Sequence, residues 1–242
     1  MKIIDLTFPI REGHYRWPVE KYLKNNFEPG ANPDLNTVIS RLGSHYFTHC
    51  DSEKHFVPDE RYVYDVPLSQ WIGPAALVDL SHLGPRGAVS AKELEEHGQH
   101  VKEGDIVILY TDWPRKANYL TPEFWADSPY TTADACQWLI DRKVKTVCYD
   151  YSPDDCIRYE VTEPGHPNLY EDFTTHYYFF PKNILVIEYL CNLHLINQER
   201  FFFVGLPLAI DETEGAATRC IALLDVPADV YENKETPAEI QE

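Results

Sequence analysis

Basic residues are scarce in this chain: 21 Lys and Arg stand against 39 Asp and Glu in 242 residues, a formal net charge of −18. Nucleic acid and anionic membranes both need a basic footprint, so neither is an expected partner. Paired cysteines are lacking too. Cys50, Cys136, Cys148, Cys156, Cys191 and Cys220 form no CxxC pair and read as reduced, mostly buried thiols. No segment approaches the ~20 apolar residues of a membrane span. The opening MKIIDLTFPI has neither a long hydrophobic region nor a small-residue cleavage site. A cytoplasmic protein is the expectation.

What is present is core material. Apolar residues make up 44% of the chain and aromatics 13%, enough for one sizeable core. No repeat or composition break divides the sequence, so residues 1–242 are expected to be a single domain with an acidic tail from about 227. Strands are predicted at 2–6, 35–43, 75–80, 105–111, 145–150 and 184–190, with two more apolar runs at 201–209 and 219–225 pairing around the turn-like DETEG. Ser90 and Glu93 form a capping-box pattern that opens a helix ended by Gly98. Shorter helices are predicted after Thr121 and from Thr131 through Ile140, and 26–34 carries turn chemistry. The first strand leads into an aromatic loop bearing Tyr15, Trp17 and Tyr22. The pattern is mixed α/β with more strands than helices.

The densest chemistry lies in SHYFTHCDSEKHF, where His45, His49, Asp51 and His55 fall within eleven residues, all at odd positions. On an extended strand those side chains share one face. Three imidazoles and a carboxylate buried together call for a compensating charge, which a divalent cation supplies, with zinc and manganese both suited to these ligands. The competing reading is a set of solvated surface histidines. Glu188 carries a second signal, because a carboxylate buried inside ILVIEYL either stays neutral with a raised pKa or is met by a cation or donor. His176 lies twelve residues before it, beside YYFF. Asp150, Asp154 and Asp155 form an acidic loop group, read as turn and cap residues rather than as a cation site. The remaining histidines are assigned to surface or structural positions, His14 and His166 being the exceptions to watch because they lie in loops.

HYFTHCDSEKH resembles the HxGTHxDxPxH signature of the cyclase-like metal-dependent hydrolases, the family of bacterial kynurenine formamidase and isatin hydrolase. DLTFPIREGHYRWP, GDIVILYTDW and VGLPLAI resemble further landmarks of that family, so the likeness runs from about residue 3 to about residue 225. It implies a single-domain swivelling β/β/α-type (cyclase-like) fold with a mixed sheet. It implies one metal on His45, His49 and Asp51, with Asp51 bridging to a second on His176 and Glu188, giving one or two ions per chain. His55 would be the catalytic acid/base and Trp17 a pocket wall. The implied activity is hydrolysis of an amide-type C–N bond, an aryl formamide or cyclic amide, in a small aromatic molecule by a metal-activated water. A lactone hydrolase, a dehydrating cyclase and a non-catalytic metal- or ligand-binding member are the alternatives. A homodimer or homotetramer is the implied assembly.

Three positions depart from the family pattern: its glycine is Phe47, its proline is Glu53 and the glycine of its RTGW is Asp112. On strand parity Phe47 would project into the site and narrow or cap the pocket. Glu53 would add a ligand or a substrate contact.

Overall fold

The computed structural model describes residues 1–25 and 35–226. Among these residues the strands are β1 (Lys2–Asp5), β2 (Glu20–Asn25), β3 (Leu35–Ser40), β4 (His49–Asp51), β5 (Ile72–Asp79), β6 (Ala88–Val89), β7 (Ile106–Tyr110), β8 (Tyr130–Thr131), β9 (Thr146–Tyr149), β10 (Leu185–Glu188), β11 (Arg200–Pro207) and β12 (Gly215–Leu224). Strands β5, β7, β9 and β10 run parallel in that order, and antiparallel pairings of β4, β12 and β11 return from β10 to β5. The mixed sheet therefore closes into a barrel. β1 adds to the free stretch of β12 beyond β4, as the register Lys2↔Leu224 to Asp5↔Ile221 records.

Parallel neighbours need crossovers, and helices supply them: Ala91–His97 between β5 and β7, Ala133–Asp141 between β7 and β9, and Thr174–Phe179 between β9 and β10. Strands covered on both faces must be apolar on both, which is why IVILY in β7 is continuous. Alternation then splits the core. Ile106, Ile108, Cys148, Leu185, Ile187, Cys50, Ala216 and Cys220 fill the barrel interior, while Val107, Leu109, Val147, Val186, Trp138, Leu139 and Phe179 pack between barrel and helices.

Most predicted strands shift by a residue or two. β5 starts earlier, at Ile72, and takes in Gly73 and Pro74. The aromatic N-terminal loop ends by residue 20, where β2 begins and pairs with β3. The YYFF run is helical, which places His176 on a helix. Ser90 caps its helix by accepting from the Glu93 amide at 3.4 Å, but the Glu93 carboxylate turns to His82 instead of closing the box. The turn chemistry of 26–34 and the tail from 227 lie outside the described residues. No described helix is long and apolar enough to cross a membrane.

Candidate metal centre

The centre forms on the helix-facing side of the β4–β10 pair. His49 and Asp51 lie in β4 on the face opposite the barrel-filling Cys50, and the register sets Glu188 directly across from His49. Opposed residues of an antiparallel pair share a face, so one backbone ladder brings three ligands together from 139 residues apart, counted from His49 to Glu188. Shared odd parity therefore holds for His49 and Asp51 only. His45 lies in the irregular turn before β4, and His55 ends the 3-10 turn Glu53–His55 after it. The chain curls at both ends of this short strand, which returns His45 and His55 over the same face with their rings 4.0 Å apart. The helix Thr174–Phe179 lowers His176 from above.

Asp51 is the hub. Its Oδ1 lies 2.7 Å from His45 Nδ1 and 3.4 Å from His49 Nε2, and its Oδ2 lies 3.4 Å from His176 Nε2. Glu188 stands between the outer imidazoles, with Oε2 3.9 Å from His49 Nε2 and Oε1 3.8 Å from His176 Nε2. Two sets thus converge, His45–His49–Asp51 and Asp51–His176–Glu188, with the donor atoms of each within 4.8 Å of one another. Although Asp51 Oδ1 is fully buried and close to His45, it receives no aligned hydrogen bond. The donor atoms face a common point rather than each other. A buried unpartnered oxygen among imidazole nitrogens is costly without a cation, and this donor set suits a divalent one.

Each of these imidazoles is fixed from behind. His45 Nε2 meets Glu214 Oε1 at 3.0 Å, His49 Nδ1 meets the Phe47 carbonyl at 2.8 Å, and His176 Nδ1 meets Asp154 Oδ2 at 2.5 Å. Asp154 is held in turn by the Thr175 amide at 2.6 Å. Acceptors on the outer nitrogens hold the protons there, so the inner nitrogens are the ones a cation would engage.

Electrostatics follow from this geometry. Burial opposes a charged His45, but the Asp51 carboxylate outweighs it and raises the pKa to about 9. Burial likewise opposes a charged His176, and Asp154 overrides it, so His176 titrates well above the usual imidazole range. Asp51 is held well below the usual carboxylate range: burial would raise it, but the charges of His45 and His49 prevail. Burial raises Glu188. The cavity is thus one in which protons take the place of a cation. His55 differs. Burial first, and then the charges of His45 and His176, bring it down to about 3.

A cavity of about 240 Å³ opens onto this cluster, and its lining includes Trp17, Arg16, Glu160, Ile157 and Phe173 opposite the ligands. Trp17 is therefore a wall, stacked on buried His14 at 4.4 Å. His166 stacks on Tyr159 and does not line the cavity. Phe47 does not enter the cavity. Its φ of 57° breaks strand parity and turns the ring into a fully buried cluster with Trp17, centroids 4.6 Å apart. The same left-handed backbone aims its carbonyl at His49, which accounts for glycine in the family pattern. Asp112 takes the other glycine position, again with φ 61°, its amide donating at 2.8 Å to buried Asp150. Glu53 is also not in the cavity: it is buried and ion-paired with Arg61.

Sequence reasoning missed Glu214 and Arg16 and treated Asp154 as a turn residue. Glu214 sits in the DETEG turn and Asp154 in a polar loop, where acidic residues are ordinary. Only the tertiary contacts distinguish them.

A closed mixed barrel with this donor cluster on its helix-covered face is, as a class, a cyclase-like α/β architecture. The family model described as putative cyclase matches residues 4–155, and the chain belongs to that family. Kynurenine formamidase of Bacillus anthracis is 24% identical over 225 residues, covering 91% of this chain and 96% of the relative. Isatin hydrolase A from Ralstonia solanacearum superposes with a TM-score of 0.71 at 21% identity, covering 91% of each chain. An isatin hydrolase bound to the product analogue thioisatinate gives 0.72 at 20% identity over 92% of each.

Proposed function

We propose that this chain is a metal-dependent hydrolase that cleaves an amide-type C–N bond, in an aryl formamide or cyclic amide, of a small aromatic substrate. The observation that carries the reading is Asp51 shared between two convergent ligand sets with His55 beside them in one cavity. The kynurenine formamidase and isatin hydrolase relatives support it. A divalent ion held by His45, His49 and Asp51, with a second on Asp51, His176 and Glu188, would supply Lewis acidity and an acidified water; zinc suits these donors first and manganese second.

Glu214, the Phe47 carbonyl and Asp154 accept from the outer ring nitrogens, so the inner nitrogens are the ones that would exchange a proton for the ion. His55, kept neutral by burial, takes the proton released by water on its imidazole nitrogen and returns it to the departing nitrogen. Trp17, Ile157 and Phe173 offer an apolar wall for an aromatic ring and exclude water from one side. Arg16, ion-paired with Glu160 at 2.6 Å, lines the same cavity and would set a guanidinium beside an acceptor on the substrate.

The test is to load the protein with zinc or manganese and assay N-formyl arylamines, isatin-like lactams and lactones. Metal-dependent turnover of amides is expected. Turnover confined to lactones, or metal uptake with no turnover on any of them, would sink the proposal.

A further inference from the structure

We propose that His82, Glu93 and His97 form a separate surface site for a borderline transition-metal ion of the zinc class. The three lie outside the lining of the buried cavity. Glu93 and His97 stand four residues apart on the helix Ala91–His97 and therefore share one of its faces. His82 reaches them from the turn after β5. Both imidazoles aim Nε2 at the same carboxylate oxygen, Glu93 Oε2, at 2.7 Å from His82 and 3.9 Å from His97. Their rings lie nearly face to face, with centroids 4.9 Å apart and planes 29° from parallel.

A hydrogen bond accounts for only part of this. His82 can donate to Glu93, but His97 at 3.9 Å is too far to do so. Two stacked imidazoles would repel each other if both were protonated. A cation between the neutral rings and the carboxylate uses all three donors at once, and imidazole nitrogen with one carboxylate selects zinc, nickel or copper over calcium and magnesium.

Both arms are rigid before any ion arrives. The Ser81 amide donates to Asp79 at 2.9 Å, and Lys116 Nζ donates to the Ser81 and Leu83 carbonyls at 2.6 and 2.7 Å. The helix is anchored by fully buried Leu94 and capped by Ser90. Little ordering remains to oppose binding. Glu93 is mostly covered while the two rings are partly open to solvent, so water can complete the coordination. The bound ion would clip the turn after β5 to the helix and stabilise the folded state by mass action.

The test uses full-length, tag-free protein in equilibrium dialysis against Zn²⁺, with metal measured by elemental analysis. Wild type is expected to hold one more zinc per chain than His82→Ala/His97→Ala, and Glu93→Gln, which keeps the helix cap, is expected to lose the same equivalent. Zinc should raise the melting temperature of wild type more than that of either variant. Should the double variant fail to fold by circular dichroism, Glu93→Gln decides alone. Equal zinc content in wild type and variants overturns the proposal. Because the readout is stoichiometry, it is independent of whether the buried centre hydrolyses anything.

Discussion

Replacing Asp154 with asparagine isolates one link in the buried centre. In the wild type Asp154 Oδ2 meets His176 Nδ1 at 2.5 Å while Oδ1 accepts from the Thr175 amide at 2.6 Å, and both side chains are buried. Asparagine preserves the shape but cannot accept at both atoms. If its oxygen stays on Thr175, its NH2 faces His176 Nδ1 and drives the ring proton to Nε2, which is the nitrogen aimed at Asp51. If the amide flips, two N–H groups collide at Thr175. Either way one charge-assisted hydrogen bond is lost, worth about 1.5–3 kcal/mol. Removing an acceptor behind a ligating histidine typically costs about 10- to 100-fold in metal affinity, which at about 1.4 kcal/mol per factor of ten is the same size. Zinc affinity at Asp51–His176–Glu188, followed by competition with a calibrated chelator, should therefore fall by that factor, while His45–His49–Asp51 is spared. Nitrogen shifts of His176 in the ion-free protein, recorded above the raised pKa of the wild-type ring, should report the exchanged tautomer. Wild-type affinity with an unchanged tautomer would refute the reasoning.

Four further outcomes are expected. His55→Ala should lower turnover by roughly 10²–10⁴-fold with metal content unchanged by elemental analysis; wild-type turnover would remove its acid/base role. Asp51→Ala should empty both ligand sets, and full metal content in that variant would contradict the shared carboxylate. In the ion-free protein, the His45 pKa is raised from 6.5 to about 9, so its stabilisation is complete below pH 6.5 and is lost as pH rises through 9. The shift corresponds to at most about 3 kcal/mol, read as a melting temperature that falls between those pH values and no longer does so once zinc displaces the proton. Phe47→Gly relieves a left-handed backbone worth about 1–2 kcal/mol but empties a packed aromatic site, where Phe truncations cost about 3–5 kcal/mol. Net destabilisation in urea is expected, and a gain in stability would show that backbone strain outweighs packing.

The parallel half of the barrel was legible from composition. β7 and β10 are apolar runs too short for helices, and the helix before β7 carries its own cap at Ser90, because both signals are local. The second N-terminal strand was less so: Glu20–Asn25, EKYLKN, lacks the apolar bias of a buried strand and is defined by its pairing with β3. At the centre, candidate donors could be picked out because unpaired carboxylates and clustered imidazoles are chemically conspicuous. Their arrangement was not. Parity fails wherever the backbone leaves the extended region, as it does at Phe47 with φ 57° and in the 3-10 turn that carries His55. It therefore misdirected both Phe47 and Glu53.

On its own, then, the order of residues determined which side chains can ligate a cation and which stretches must be buried. Those properties belong to single residues and short windows. Folding alone decided that Glu188 faces His49, that His176 descends from a helix, and that Asp154 and Glu214 steady the imidazoles. Such relations arise when a strand pairing brings together segments more than a hundred residues apart, and no local pattern encodes the register of that pairing.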